Sequence, residues 1–348
     1  MTKKEKIISI SALVFLIVSV IVLAIVLLGG EYKPKTKTLY GYFGTADTCT
    51  IICYKNDSER LFNSRCTEVE SLVEKYHKLT DIYHEYDGIN NLKTLNDSAG
   101  GEPIKIEKEL MEMLIYAKKI YYLTEGDVNI AMGAVLSIWH EYRADGFGNK
   151  LPPMEMLSDA AEHCDIESLV LDEENMTALI TDPEASVDVG AIAKGYATER
   201  AARLLKSMGA DGYALSFSGN IRTIGEHPDD ELWSIMIRDP FATSSTYARE
   251  IKAPEGAVVT SGGYENYYTV DGVRYHHIIN KDTLMPADFF ASVSVYHADS
   301  GFADCMSTAL FNMSYEDGLA LIERAKEQGY GNLTVYWVTL DGNIISNE

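Results

Sequence analysis

The run Val187-Asp188-Val189-Gly190-Ala191-Ile192-Ala193-Lys194-Gly195-Tyr196-Ala197 constrains this chain more than any other stretch. It leads into apolar positions Ala197, Ala201, Leu204, Leu205 and Met208 at helical spacing, and Gly209 stops the pattern, which predicts a strand-to-helix junction. Glycines let backbone approach a ligand closely, a helix start presents unpaired N–H groups to anions, and Lys194 adds a full positive charge. That combination suits a phosphate-bearing ligand; the plainer reading is a tight turn with a solvated lysine. Neither common phosphate motif applies. Lys194 precedes Gly195 with no Ser or Thr after it, which excludes a P-loop, and no G-x-G-x-x-G string occurs.

The charge balance bears directly on that site. With 52 acidic against 30 basic residues the formal net charge is −22, which excludes a nucleic-acid partner because phosphate binding there needs a basic face. A diphosphate approaching so acidic a body is repelled, so local cations, Lys194 or a bound metal, must offset the repulsion. At the N-terminus Lys3, Lys4 and Lys6 precede an uncharged run from Ile7 to Leu28. That run matches the roughly 20 residues needed to cross a bilayer, and the positive-inside rule places the lysines in the cytoplasm. Residues 1–30 are therefore expected to form a single-pass signal-anchor, 31–38 a linker, and 39–348 a body outside the membrane; a cleaved signal peptide would change only the tethering. Cys49, Cys53, Cys66, Cys164 and Cys305 make no zinc pattern and are read as buried free thiols, with a Cys49–Cys53 pair as the alternative.

Along the body, periodicity predicts a strand over Thr48–Tyr54, helices from about Ser64 and over Glu107–Leu123, and an irregular segment from Tyr83 to Asn96. Pro152-Pro153 opens a helix toward Cys164. Leu169–Leu171, Ala178–Thr181, Ser186–Val189 and Tyr213–Phe217 read as strands. Another strand follows the Ser218-Gly219-Asn220 turn. Asp271-Gly272 marks a hairpin, and Asp341-Gly342 a second. The pattern is that of one mixed α+β unit.

Asp299-Ser300 reads as the cap of a helix on which Asp304 and Thr308, four apart, share a face. A carboxylate and a hydroxyl are hard oxygen ligands suited to Mg²⁺; alone, the same pair reads as a solvated face. His276 and His277 alternate on a strand, so only one can face a given site as general base. Thr260-Ser261-Gly262-Gly263-Tyr264 reads as a small-residue turn.

In this order the segments resemble the FAD:protein FMN transferase family, also called ApbE. Asp188-x-Gly-Ala-Ile-Ala-Lys-Gly-Tyr-Ala197 looks like its central signature, and Ser216-Phe-Ser-Gly-Asn-Ile-Arg222 like the next block, where many members carry Asp in place of Asn220. Thr260-Ser-Gly-Gly-Tyr-Glu265, Tyr275-His-His-Ile278 and Ala303-Asp-Cys-Met-Ser-Thr-Ala-Leu310 resemble the remaining blocks. Departures are Phe43-Gly-Thr45 for Met-Gly-Thr, His84-Glu-Tyr86 for Ser-x-Tyr, and Asn280-Lys-Asp-Thr-Leu284 for Asp-Pro-x-Thr-Gly.

The resemblance implies cleavage of FAD at its diphosphate, transfer of FMN to a threonine hydroxyl of another protein, and release of AMP. It implies Mg²⁺ held by Asp304 and Thr308 with Ser307 and the Ala191 carbonyl. It places FAD against Phe43, Tyr86, Glu125, Gly126, Asp127, Asp188, Lys194, His277 and Ile278, with His277 and Asp304 catalytic. The family's acceptor motif is Asp-Gly-x-Thr-Gly-Ala-Thr-like. None of the Asp-Gly pairs at Asp87, Asp145, Asp211, Asp271 or Asp341 continues that way, so the acceptor is expected to be a separate exported or membrane-associated protein. A Mg²⁺-dependent FAD pyrophosphatase and a non-catalytic, membrane-tethered flavin-binding protein are the competing readings.

Overall fold

Eight antiparallel strands form the central sheet of the computed structural model, which describes residues 33–44, 47–144, 150–229, 232–242, 247–264 and 266–348. Their spatial order is Lys35–Tyr40, Thr48–Cys53, Tyr213–Phe217, Asn220–Ile224, Ala257–Gly262, Ser292–His297, Thr334–Val338 and Ile344–Ser346. Side chains alternate across this sheet, so neighbouring residues serve different cores. Val259, Val293, Val295, Val335 and Trp337 face the main helical core, whereas Val258, Tyr336, Ile221 and Tyr296 face the Trp233–Arg238/Tyr247–Ala253 hairpin.

On the helical side, Ala193–Ser207 and Ser300–Phe311 pack against each other and against the sheet, and Glu59–Thr80 covers its first strands. Gly195 permits the close approach of the first two. A Cβ there would lie 2.6 Å from Ser300 O and collide with the Asp304 side chain. A smaller unit, built from Gly133–Ala144, Met154–Ala161 and the Tyr267–Val270/Val273–His276 hairpin, is centred on Trp139. The arrangement is the mixed α+β class that the sequence pattern predicts.

Several elements differ from the sequence reading. Lys35–Tyr40, expected within a linker to residue 38, pairs with Thr48–Cys53 from Lys35↔Cys53 to Tyr40↔Thr48. Only Leu39 of that strand is buried, so backbone hydrogen bonds rather than a hydrophobic pattern define it. The helix expected from about Ser64 starts at Glu59, because the Ser58 hydroxyl accepts the Leu61 N–H. Leu92–Asp97, within the segment read as irregular, is a short helix capped by Asn91. Ser186–Val189 is no strand; it is held by one bridge to Met132 and by Asp188 N–H on Ile130 O at 2.8 Å. Thr260-Ser261-Gly262 finishes a strand instead of turning. Cys49 and Cys53 are free thiols, like the other three cysteines, and lie four apart on one strand, roughly 13 Å end to end, too far to bridge. Residues 1–32, which carry the expected membrane span, lie outside the described residues, and among the described residues no helix is long and apolar enough to cross a membrane.

Candidate active site

Two helix starts are capped reciprocally across the pair. The Ala193–Ser207 helix has no side-chain cap of its own at Ile192; the Gly195 N–H instead donates to Asp304 Oδ2 at 2.7 Å, from the partner helix. In return the Ser300 N–H, beside the Asp299 cap, donates to Glu199 Oε2 at 3.0 Å. Glu199 also pairs with buried Arg222 at 2.9 Å and with Arg203 at 3.0 Å, which ties both helices to the Asn220–Ile224 strand. The mid-chain turn and the downstream acid–hydroxyl helix are thus one unit.

Lys194 stands in the first turn of its helix, where a cation opposes the helix dipole and an anion is favoured. Its ammonium is half-buried and makes no hydrogen bond or ion pair among the described residues. Its charge acts on Asp304, His277 and Cys49. A positive site without a carboxylate partner, in so acidic a chain, is one that awaits an anion.

The donor set for a hard cation is present in part. Burial pushes the Asp304 carboxyl up to about 6, against the opposing effects of Lys194, the Gly195 N–H and Asn220. Asn220 Nδ2 donates to Oδ2 at 3.2 Å, so both protein donors fall on one oxygen, and Oδ1 receives none among the described residues. Because Gly195 N–H turns to Asp304, the Ala191 carbonyl takes no backbone hydrogen bond among the described residues. Among the described residues the Thr308 hydroxyl has only a long contact of 3.3 Å, to Ser261. Ser307 differs from the other expected ligands: its buried hydroxyl donates to Asp304 O at 3.0 Å and meets Ser261 Oγ at 2.8 Å. A free carboxylate oxygen, a free carbonyl and a lightly held hydroxyl fit Mg²⁺; Ser307 fits a bracing role.

The two histidines separate by their partners. His276 Nε2 meets Ala287 O at 2.8 Å, its Nδ1 accepts the Ile278 N–H, and its ring stands edge-on to Phe311. Both of its nitrogens are engaged. His277 is half-buried and its Nδ1 lies 3.2 Å from Asn266 O, which fixes the proton on Nδ1 and leaves Nε2 an open acceptor. Burial, then the charges of Lys194 and Arg143, push its pKa down to about 3, so the ring is neutral at physiological pH.

The remaining expected residues lie around this centre. Asp188 Oδ1 accepts the Gly190 N–H at 2.7 Å, shaping the turn before Lys194. Phe43, at φ 65°, donates its N–H to His77 Nδ1, and the Tyr86 hydroxyl donates to Asp81 Oδ2 at 2.8 Å. Tyr86 therefore offers its ring rather than its hydroxyl. Glu125 pairs with Arg324, and Gly126 holds φ 88°. Burial pushes Asp127 up to about 6 despite Lys281 at 3.7 Å. Three residues on, Ile130 O receives Asp188 N–H, so this loop runs into the central turn. Ile278 is buried and contributes backbone, its carbonyl accepting Ala287 N–H at 3.1 Å. Asn280 Oδ1 accepts from the N–H groups of Asp282 and Thr283, and Leu284 takes φ 59° where a glycine is usual. Thr45, Asp145 and Glu265 lie outside the described residues.

Sequence reasoning missed Glu199, the bonding role of Asn220, and the Tyr83–His140–Arg143 group. Tyr83 Oη meets His140 Nδ1 at 3.0 Å, and Arg143 stands three residues beyond on the same helix. The signal available was the His140/Arg143 spacing, which places both on one helix face.

Residues 43–331 match the ApbE family. The chain is 30% identical over 263 residues to the FAD:protein FMN transferase of Vibrio cholerae, covering 74% of this chain and 75% of that one. It is 32% identical over 246 residues to that of Treponema pallidum, covering 66% and 67%. Among solved structures it resembles the ApbE protein of Thermotoga maritima, with TM-score 0.78, 25% identity, and 91% and 97% of the two chains covered. It also resembles the flavin transferase ApbE of Vibrio cholerae, with TM-score 0.73, 26% identity, and 90% and 97% covered.

Proposed function

The chain belongs to the ApbE family and is an FAD:protein FMN transferase, and we propose that it transfers FMN where the Lys194 turn, Asp304 and His277 meet. The observation carrying this reading is the bond from Gly195 N–H to Asp304, which leaves Asp304 Oδ1 and the Ala191 carbonyl open, and Lys194 without an ion-pair partner, among the described residues.

The FAD diphosphate lies against the helix start, with Lys194 on its oxygens. Asp304, Thr308 and the Ala191 carbonyl would hold Mg²⁺, which when bound would neutralise diphosphate charge and stabilise the leaving AMP. A threonine hydroxyl of the acceptor protein approaches the flavin-side phosphorus. His277 Nε2 takes its proton as the oxygen–phosphorus bond forms, and the bond to the bridging oxygen breaks. AMP departs with that oxygen. Phe43 and Tyr86 present ring faces to the flavin; Glu125, Gly126, Asp127 and the Ile278 backbone line the ligand's edges; Asp188 accepts its hydrogen bonds. The acceptor is a separate exported or membrane-associated protein carrying a threonine in an Asp-Gly-x-Thr-Gly-Ala-Thr-like motif. The N-terminal span anchors the enzyme in the cell membrane with its catalytic body outside.

Mass spectrometry of such an acceptor, after incubation with the enzyme, FAD and Mg²⁺, tests the reading. The acceptor gains one FMN less water at a threonine while AMP accumulates in equal amount. Free FMN and AMP with an unmodified acceptor would make the protein a pyrophosphatase; FAD bound without AMP would make it a binding protein.

A further inference from the structure

Arg143 occupies the last turn of the Gly133–Ala144 helix, and both sides of that helix are pinned to the site. Gly133 N–H donates to Ser186 O at 3.1 Å, two residues before Asp188. Trp139 Nε1 donates to Leu284 O at 3.0 Å, and its ring stacks on Tyr275, two residues before His277. The helix that carries Arg143 is thereby held between the turn before Asp188 and the hairpin that leads to His277. The Arg143 charge acts on Tyr83, Tyr268, Asp188 and His277.

The guanidinium is half-buried, yet it makes no hydrogen bond or ion pair among the described residues. Arg65, Arg200, Arg203, Arg222 and Arg324 each stand within ion-pair distance of a carboxylate. Asp188 does not serve Arg143 in that way; its Oδ1 is taken by Gly190. The charges of Lys194 and Arg143, neither within ion-pair distance of a carboxylate among the described residues, therefore act on one neutral histidine in a chain of net charge −22. Leaving two such charges uncompensated is costly unless an anion joins them.

We propose that Arg143 is a second diphosphate-positioning residue, its planar fork receiving phosphate oxygens of FAD together with Lys194. Lysine supplies a point charge, whereas arginine fixes the orientation of two oxygens at once. An oriented diphosphate presents one phosphorus, and not the other, to the acceptor hydroxyl. Burial holds the Arg143 pKa below its usual value, as expected for a guanidinium kept partly dry before its anion arrives.

The proposal rests on the transferase reading, and paired ligands that differ in phosphate separate the two. Affinities of the full chain and of Arg143→Gln for FAD and riboflavin are read by flavin fluorescence, and for ADP and adenosine by competition. Arg143→Gln weakens FAD and ADP by roughly tenfold and leaves riboflavin and adenosine unchanged. Arg143→Lys, which keeps the charge and loses the fork, falls between and serves should the glutamine variant fail to fold. Equal losses for phosphorylated and unphosphorylated ligands, or no loss for FAD, overturn the proposal. Wild-type acceptor flavinylation is scored separately, so its absence would count against the transferase reading and leave the phosphate selectivity of Arg143 legible.

Discussion

Asp304 Oδ2 lies 2.7 Å from the backbone nitrogen of Gly195, a bond that spans 109 residues of sequence and caps the helix on which Lys194 stands. One carboxylate thus divides its oxygens: Oδ2 completes a helix start, and Oδ1 takes no protein donor among the described residues, free for the proposed cation.

The two duties separate by substitution. Asp304→Asn keeps an oxygen for the Gly195 N–H and removes the charge a metal needs, so Mg²⁺-dependent turnover falls by at least ~100-fold with little change in melting temperature. Asp304→Ala loses the cap as well and is less stable by about 1–2 kcal/mol. Turnover assays and thermal melts on both variants check this. A fully active Asp304→Asn would remove the metal from the mechanism.

His277 gives a pH prediction with a definite sign. Its folded pKa, about 3, lies below the ordinary ~6.5 of the unfolded chain. As pH falls the unfolded state takes up this proton first. The stability tied to neutral His277 is therefore present above about pH 6.5 and is lost as pH falls from there toward 3. Bound FAD offsets Lys194 and Arg143, raising the pKa, so the acid limb of kcat lies at higher pH than that of kcat/KM. NMR titration of the free protein shows a neutral imidazole down to about pH 4; a midpoint near 6.5 would mean these charges do not act on it. His277→Ala keeps FAD affinity and loses roughly 10²–10⁴ in transfer rate.

Much of the site was legible because local rules and chemistry agreed. The Ala193–Ser207 helix, Lys194 near its start and the Asp304/Thr308 face all follow from period and spacing, and the strand Tyr213–Phe217 from its apolar run. What stayed hidden was long-range. Nothing local marks Glu199 as the acceptor for Ser300 N–H 101 residues away, or Arg143 as a charge that acts on His277. The edge strand Lys35–Tyr40 hid for a different reason: it buries one side chain and is defined by hydrogen bonds to a neighbour. The family resemblance put Ser307 among the ligands, and only the position of Ser261 shows its hydroxyl to be committed.

Asn220 keeps the charge at this site to one carboxylate, donating Nδ2 to Asp304 Oδ2 at 3.2 Å. Asn220→Asp replaces that donor with a second acid at hydrogen-bond range, and two like charges so close ionise together only at an electrostatic cost. The variant therefore melts below wild type, and the gap widens as pH rises toward 8, where both acids lose their protons. Added Mg²⁺ narrows the gap by supplying the missing positive charge. Thermal melts across pH, with and without Mg²⁺, read both effects; a variant indifferent to the cation would show that no divalent ion reaches Asp304.

Glu199 tests whether the helix pair is held as one unit. Its carboxylate serves Arg222, Arg203 and the Ser300 N–H, with Arg222 and Glu199 both buried. Removing one member of a buried ion pair strands the other, at a cost of about 3–5 kcal/mol. Glu199→Gln keeps the shape and loses the charge, but Arg222 keeps Glu255 at 3.4 Å, so the loss falls below that range, at about 1–3 kcal/mol. Arg222→Met alone also destabilises, since Glu199 then keeps only exposed Arg203 as a charge partner. The double variant, with no stranded charge, recovers part of the loss. A double-mutant cycle by urea denaturation measures the coupling. If Asp304 depends on this brace for its place beside Gly195, Mg²⁺ affinity falls in Glu199→Gln and returns in the double variant. Additive losses, with metal affinity untouched, would mean that the two caps hold the helices independently.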